Sequence, residues 1–333
     1  MASVPHGTRA APGRASPGAD ARGAPYTSGV AVTAEPLVPV RAAPPGHDYE
    51  HVRVTPVTSA CGGLVEGVDL AHDLDDAVIA EIRRAVLDHH VVFFHDQRLT
   101  PDRQVAFSRR FGPFSPVPFI EPTPDHPEVI AVVREASETQ RFTFGSLWHS
   151  DFSFLPEPPF ASILYALQVP PVGGDTLWAS QTLAYATLSS GMQQLLRGLI
   201  GRHSAVNAYS PKMQPVHDAF TGMVVHTSED AHRVQRHPVV RRHPETGEPA
   251  LFANAQYTIG LEGFAPHEAK ALLDLVFEHA VRPEFGCRWR WSVGDVAFWD
   301  NRAVQHMAMA DFTGHRRLMH RTTVAGDRPV PVD

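Results

Sequence analysis

The feature that most constrains the fold is a series of short β-forming stretches separated by turns rich in proline and glycine. Residues 91–94 (VVFF) and 161–167 (ASILYAL) are typical strands, and residues 170–175 (PPVGGD) form a strong turn signal before the chain restarts at 176–178 (TLW). Proline and glycine interrupt strands, so each stretch must be short. Many short strands of this kind are typical of a jelly roll.

A few segments have helical periodicity instead. Residues 75–89 place Val78, Ile79 and Ile82 on one face, with an aspartate available as N-cap. Thr100 and Pro101 mark the start of a second helix, as N-cap and first helical residue, which ends at residue 112. Helices are also predicted over residues 183–199, with an interruption at 190–191, and over 266–279. The predicted fold is mainly β, a jelly roll with flanking helices.

The first 46 residues differ from the rest of the chain. They are rich in Ala, Gly, Pro, Ser and Arg and contain almost no large apolar side chains. Such a segment cannot bury enough surface to offset the entropy of ordering it. We expect residues 1–46 to be a disordered N-terminal tail and residues 47–333, which contain no internal repeat, to be one domain. Residues 204–229 are polar and hard to interpret; a lid over a substrate is one interpretation.

Composition excludes several classes of function. The formal net charge of −7 disfavours a nucleic-acid partner, because phosphate binding requires a basic surface. The two cysteines, Cys61 and Cys287, cannot provide a disulfide framework or a cysteine-rich zinc site, which fits a reducing, cytoplasmic location. No apolar run approaches the roughly 18 residues of a membrane span, so no membrane partner is expected.

The most informative candidate site is at residues 147–154 (LWHSDFSF). If this aromatic segment is a strand, His149 and Asp151 project from the same face, while Trp148, Phe152 and Phe154 lie on the other. Two further His-x-Glu triplets, at 126–128 and 243–245, have proline at their centre, which suits turns. With a second histidine, His149 and Asp151 would form the two-histidine, one-carboxylate set that holds non-heme Fe(II).

A second histidine and two arginines occur near the carboxyl end. His306 follows the segment 298–301 (FWDN), and Arg317 and Arg321 lie on one face of a predicted strand, about 13 Å apart at about 3.3 Å per residue. If residues 310–315 connect a hairpin, at least one arginine lies near the metal pocket. A guanidinium is suited to binding a carboxylate through two charge-assisted hydrogen bonds. Taken singly, such residues are more often structural or solvated; their combination and order favour a site.

Four segments together identify the family that the sequence resembles. They are residues 148–151 (WHSD), 169–178 (VPPVGGDTLW), 299–306 (WDNRAVQH) and 316–323 (RRLMHRTT). In this order and with these separations, the chain resembles the taurine dioxygenase/TfdA-like family of Fe(II)- and 2-oxoglutarate-dependent oxygenases over nearly all of residues 51–329.

The resemblance implies a cupin-like double-stranded β-helix and a set of residue roles. His149, Asp151 and His306 would bind Fe(II), and the keto-acid end of 2-oxoglutarate would chelate the metal, leaving one position for O2. Thr176 and Arg317 match the positions that hold the distal carboxylate of 2-oxoglutarate. Oxidative decarboxylation would release succinate and CO2, and a substrate C–H bond would be hydroxylated, often with breakdown to a carbonyl product.

The substrate pocket is also implied by the resemblance. Arg321 matches the position that binds an anionic group of the substrate, and Trp299 an aromatic beside the iron. Tyr209 and Tyr257 match pocket aromatics.

This chain departs from taurine-specific relatives at three pocket positions. Val117 and Gly145 stand where those relatives carry a histidine and an asparagine, and Ile120 where an aromatic is expected. A small organic anion with an apolar body is therefore expected as substrate: a sulfonate, an alkyl sulfate ester or an aryloxyalkanoate.

Two other classes of protein remain as alternatives. A zinc hydrolase could use the same triad, but it would not need Thr176 or Arg317 and would not need O2. A non-catalytic jelly-roll binding protein would tolerate loss of His149 or Asp151. Whether the chain forms a homo-oligomer is left open by the sequence.

Overall fold

The computed structural model describes residues 49–333, so the predicted tail at residues 1–46 lies outside the described residues. The described residues form fifteen strands: β1 (Arg53–Pro56), β2 (Gly63–Glu66), β3 (Val91–Phe94), β4 (Ile130–Arg134), β5 (Ala161–Gln168), β6 (Thr176–Ser180), β7 (Ile200–Ser204), β8 (Val234–Pro238), β9 (Val240–Arg242), β10 (Pro249–Leu251), β11 (Thr258–Leu261), β12 (Gly286–Trp289), β13 (Val296–Asp300), β14 (Val304–Ala308) and β15 (Arg317–Val324). Seven α-helices accompany them: α1 (Asp76–His89), α2 (Pro101–Arg109), α3 (Gln181–Ala186), α4 (Ser190–Arg197), α5 (Val206–Tyr209), α6 (Gln214–His217) and α7 (Pro266–Ala280). None of the helices in this range is both long and apolar enough to cross a membrane.

Two sheets form the centre of the fold. The larger has seven strands in the order β1-β2-β3-β13-β5-β15-β4, and a smaller sheet has the order β12-β6-β14. Side chains from both sheets pack into one apolar cluster, with Phe93 and Met319 from the large sheet and Trp178 from the small one. This arrangement, mostly antiparallel, confirms the predicted mainly-β jelly roll with flanking helices.

Helices α1 and α2 pack against the large sheet, as their periodicity predicts. Helix α1 buries Ile79, Ile82 and Val86 in an apolar cluster with the large sheet. Helix α2 begins as predicted, because the Thr100 hydroxyl accepts a hydrogen bond from the backbone N–H of Arg103. The hairpin predicted near residue 240 is present as β9 and β10, and the helical pattern over 183–199 divides into α3 and α4.

Residues 310–315, considered above as a hairpin connection, do not form one. Strand β14 pairs with β6 in the small sheet, whereas β15 pairs with β5 and β4 in the large sheet. The connection therefore crosses from one sheet to the other. Both strands have partners that are distant in sequence, β6 for β14 and β4 and β5 for β15.

Candidate active site

His149 and His306 are joined by their backbones. The N–H of His149 donates to the carbonyl of His306 (3.1 Å), and the N–H of His306 donates to the carbonyl of His149 (2.8 Å). This isolated antiparallel bridge holds the two imidazole rings with their centroids 4.2 Å apart. Because His306 lies in β14, the small sheet fixes the position of His149 without a regular strand there.

The strand predicted around His149 is wrong. The chain turns at residues 151–154, and Phe152 has a φ of +47°, in the left-handed region. Side chains cause the turn: the Ser150 hydroxyl donates to the carbonyl of Asn301 (2.6 Å), and the N–H of Asp151 donates to the side-chain oxygen of Asn301 (3.3 Å). Phe152 therefore lines the cavity beside the triad instead of facing away from it.

His149, Asp151 and His306 converge as the resemblance implies. One ligand atom of each lies within 4.8 Å of the others, and all three side chains are buried. His149 Nε2 is 3.6 Å and His306 Nε2 is 3.9 Å from the Asp151 carboxylate. His149 Nδ1 lies 2.7 Å from the carbonyl of Leu147, so Nδ1 donates this hydrogen bond and Nε2 is the nitrogen directed at Asp151.

The protonation states suit metal binding. Burial, and then the neighbouring His149, lower the pKa of His306 to about 3, so this imidazole is neutral. Burial alone would raise the pKa of Asp151, but Arg321 and the two histidines outweigh it and hold that pKa well below its usual range. A neutral imidazole and an ionised carboxylate are the forms that bind a divalent metal. The donor set therefore fits a metal with two nitrogen ligands and one oxygen ligand.

Two residues that the sequence reasoning missed orient Asp151. The Ser162 hydroxyl donates to Asp151 Oδ2 (2.7 Å), and the Asn301 amide donates to that hydroxyl (3.2 Å). The Trp299 indole N–H also donates to the Asn301 side-chain oxygen (2.9 Å). Asn301 lies within one of the segments that carry the family resemblance, but nothing in its spacing indicates these contacts.

A small cavity beside the triad is lined by Thr176, Arg317 and Trp299. Arg317 is buried, and burial lowers its pKa to about 10. Among the described residues, its Nε and Nη2 atoms have no hydrogen-bond partner. Because unpaired buried guanidinium nitrogens are costly, this cavity fits an anionic group. Trp299 packs on the ring of His306, with centroids 4.7 Å apart.

A second cavity of about 350 Å³ adjoins the first, and Gly145, His149 and Arg321 line both of them. Its wall includes Gly145, Tyr209, Tyr257 and Arg321, and its apolar lining residues are Phe142, Phe144, Phe152, Met213, Val216 and Phe220. Part of the segment over residues 204–229, which the sequence left unassigned, covers this cavity.

Val117 and Ile120 differ from the other predicted pocket residues. Neither lines the cavity; both belong to an apolar cluster that also contains Phe152, Tyr209 and Tyr257. Their side chains thus contact the residues of the cavity wall and not the cavity itself. The effect of these two residues on substrate choice, which the resemblance implies, stays a prediction.

Comparison with known proteins gives the family. The model of the family described as "Taurine catabolism dioxygenase TauD, TfdA family" matches residues 53–323. The chain is 34% identical over 289 residues to an alpha-ketoglutarate-dependent sulfate ester dioxygenase from Pseudomonas putida, covering 84% of this chain and 91% of that protein. It is 30% identical over 280 residues to an (S)-phenoxypropionate/alpha-ketoglutarate-dioxygenase from Sphingobium herbicidovorans, covering 82% and 95%.

A solved structure agrees with these relatives. The crystal structure of a taurine dioxygenase from Burkholderia xenovorans superposes with a TM-score of 0.70 at 37% identity, covering 84% of this chain and 93% of that chain. Alpha-ketoglutarate is 2-oxoglutarate, so the predicted activity is confirmed at the level of the reaction class. The chain belongs to the TauD/TfdA family and is a 2-oxoglutarate-dependent dioxygenase that uses a metal and O2.

Proposed function

We propose that this dioxygenase uses Fe(II) to hydroxylate a C–H bond of a small organic anion with an apolar body, releasing succinate and CO2. One observation carries the proposal: Arg321 lines the apolar cavity while its Nη1 lies 3.1 Å from Asp151 of the triad. An anion held by Arg321 therefore has its nearest carbons beside the metal ligands. If the hydroxylated carbon bears an oxygen or sulfur leaving group, the product breaks down to a carbonyl compound.

We assign the metal to His149, Asp151 and His306. Two imidazoles and one carboxylate, with further positions open, suit non-heme Fe(II). With 2-oxoglutarate bound, iron in this position supplies O2 activation coupled to oxidative decarboxylation. The protein contributes position: the Leu147 carbonyl orients His149, and Ser162 orients the Asp151 carboxylate.

We assign the small cavity to 2-oxoglutarate. Thr176 can donate its hydroxyl proton to the distal carboxylate, and the unpaired Nε and Nη2 of Arg317 can donate two charge-assisted hydrogen bonds. The buried guanidinium gains a counter-charge on binding, which offsets its desolvation. A neutral cosubstrate would leave this charge unpaired.

We assign the larger cavity to the substrate. The Nε and Nη2 atoms of Arg321 have no partner within the described part of the chain, so they remain available to an anion. Burial raises the pKa of Tyr209 to about 12 and raises that of Tyr257, so both phenols stay neutral and do not repel an anion. The aromatic and aliphatic walls favour an apolar body.

Gly145 contributes to the shape of this cavity. Its φ is +79°, which disfavours any side chain, and an added Cβ would lie 3.6 Å from His149 Cε1. A position without a side chain here leaves space next to the first metal ligand. A bulkier substrate than taurine can occupy that space, which favours alkyl sulfate esters, larger sulfonates and aryloxyalkanoates.

A substrate panel tests the proposal. Protein loaded anaerobically with Fe(II) is mixed with 2-oxoglutarate, O2 and one compound from each class, with taurine included, and succinate and the carbonyl product are measured. We expect the best turnover with an anion that has an apolar body, and none without O2. Turnover without O2 would indicate a hydrolase, and taurine as the best substrate by far would refute the pocket argument.

Three expectations from the sequence stay predictions. They are the single oxygenase domain over residues 47–333, the cytoplasmic location, and the absence of a membrane partner; the sequence leaves the oligomeric state open. Size-exclusion chromatography with light scattering would measure the oligomeric state directly.

A further inference from the structure

Trp291 lies just beyond β12, next to the small cavity, and is 5% exposed. Its indole N–H donates a hydrogen bond to the Thr176 hydroxyl oxygen, with a nitrogen–oxygen distance of 3.0 Å. The same ring lies under the Arg317 guanidinium, whose central carbon is 5.9 Å from the ring centroid. One buried side chain therefore contacts both residues that we assign to the distal carboxylate of 2-oxoglutarate.

The indole determines what the Thr176 hydroxyl can do. A hydroxyl has one proton and two lone pairs, whereas an indole N–H can only donate. With one lone pair of Thr176 occupied by Trp291, the hydroxyl proton cannot point toward Trp291 and is left for another acceptor. Since Thr176 lines the small cavity, the proton is directed toward an anion bound there.

Contact with the guanidinium adds to this effect. A cation within about 6 Å of an indole centroid is attracted to the ring, and the attraction is larger when the pair is desolvated. Arg317 is 5% exposed, so water does not compete strongly. The ring can thus hold the guanidinium in place when the cavity is empty and keep its unpaired nitrogens ready for a carboxylate.

We propose that Trp291 is a positioning residue for 2-oxoglutarate, which orients the Thr176 hydroxyl and the Arg317 guanidinium toward the distal carboxylate. The inference rests on the proposed function, in which Thr176 and Arg317 bind that carboxylate. Trp291 does not touch the cosubstrate itself, so it acts on affinity through its neighbours.

The chain offers a matched control two residues away. Trp289 is also buried and also donates one indole hydrogen bond, to Asp295 Oδ2 at 3.0 Å. Its ring stacks on Phe93, with centroids 4.0 Å apart, and it does not line the small cavity. Trp289→Phe and Trp291→Phe each remove one buried indole N–H, but only the second removes the bond to Thr176.

The experiment measures the affinity of the iron-loaded protein for two 2-oxo acids under anaerobic conditions, by titrating the metal-to-ligand charge-transfer absorption. The acids are 2-oxoglutarate and 2-oxobutyrate, which lacks the distal carboxylate. We expect Trp291→Phe to weaken the binding of 2-oxoglutarate by about fivefold, the loss typical of one hydrogen bond, and to leave the affinity for 2-oxobutyrate unchanged. Trp289→Phe should change neither affinity. An equal loss for both acids, or no loss for either, in Trp291→Phe would overturn the proposal.

Thr176→Val separates this inference from the proposed function. We expect this variant to weaken the binding of 2-oxoglutarate by about thirtyfold, because it removes a hydrogen bond to a charged group. Adding Trp291→Phe to Thr176→Val should cause no further loss of affinity through the Thr176 hydroxyl, because the indole acts on the cosubstrate through that hydroxyl. If Thr176→Val binds 2-oxoglutarate as tightly as the wild type, the role assigned to Thr176 in the proposed function is wrong. If Trp291→Phe binds it as tightly as the wild type but Thr176→Val does not, only the role of Trp291 is wrong.

A second measurement does not require the variants to fold. In wild-type protein labelled with ¹⁵N-tryptophan and loaded with diamagnetic Zn(II), 2-oxoglutarate should shift the indole N–H resonance of Trp291 much more than that of Trp289. 2-Oxobutyrate should produce a smaller shift at Trp291. Equal shifts of the two indoles would contradict the proposal.

Discussion

Asn301 accepts a hydrogen bond from the backbone N–H of Asp151, at 3.3 Å, through its side-chain oxygen. The amide nitrogen of the same side chain donates to Ser162, which in turn donates to the Asp151 carboxylate. The turn between β13 and β14 thereby fixes both the backbone and the carboxylate of Asp151, which we assign to the metal.

Asn301→Ala should weaken metal binding by about 10- to 100-fold, the usual cost of removing a group that orients a metal ligand. Calorimetric titration with Fe(II) or Mn(II) in the absence of O2 measures this loss. Gln104→Ala is a suitable control, because Gln104 is also a fully buried amide but bonds to Ile163 and His320 and not to the triad. Unchanged metal affinity in Asn301→Ala would show that Asp151 is oriented without it.

His149→Ala and Asp151→Ala should abolish both metal binding and substrate-triggered succinate release, because two remaining ligands hold a divalent metal poorly. His320→Ala is the control, since His320 lies on β15 with its side chain outside the triad. Succinate release by either triad variant at the wild-type rate would refute the metal assignment.

Arg317→Met and Arg321→Met should affect different ligands. Arg317→Met is expected to raise the KM for 2-oxoglutarate by about 100-fold. Arg321→Met is expected to raise the KM for the organic anion by about the same factor. In each case the ligand loses about two charge-assisted hydrogen bonds. Methionine preserves most of the apolar stem. Steady-state kinetics with each substrate varied in turn distinguishes the two effects, and an exchange of the two effects would reverse our assignment.

His203 and His237 make stability depend on pH. Burial lowers the pKa of His203 to about 3, with a further contribution from His237, and burial lowers the pKa of His237 to about 4. Both folded-state pKa values lie below the unfolded value near 6.5, so the unfolded state binds more protons as the pH falls. The free energy of unfolding should therefore decrease from pH 6.5 toward pH 4, by about 1.4 kcal/mol per pH unit for each histidine.

Urea unfolding at pH 7, 6 and 5 measures this dependence. His203→Gln should make the slope between pH 6 and pH 5 less steep, whereas His72→Gln, at an exposed position, should leave it unchanged. A slope that is the same in His203→Gln and in the wild type would contradict the buried, neutral state of His203.

Local patterns predicted the secondary structure well where one chemical rule dominates. The periodicity of α1, the Thr100–Pro101 start of α2 and the proline and glycine turns correspond to the observed elements within a few residues. These rules failed at residues 151–154, where aromatic side chains favour a strand but Ser150 and Asp151 bond to Asn301. They also failed at residues 310–315, because strand pairing depends on partners far away in the chain.

By itself, the sequence determined which groups can do chemistry, namely the histidines, the carboxylate and the arginines, because side-chain chemistry and motif order are local properties of the chain. Only the tertiary structure decided which of them meet. The bridge between His149 and His306, the contact of Trp291 with Thr176, and the separation of Val117 and Ile120 from the cavity all depend on how two sheets pack. Packing is set by the burial of many distant side chains at once, which no single segment encodes.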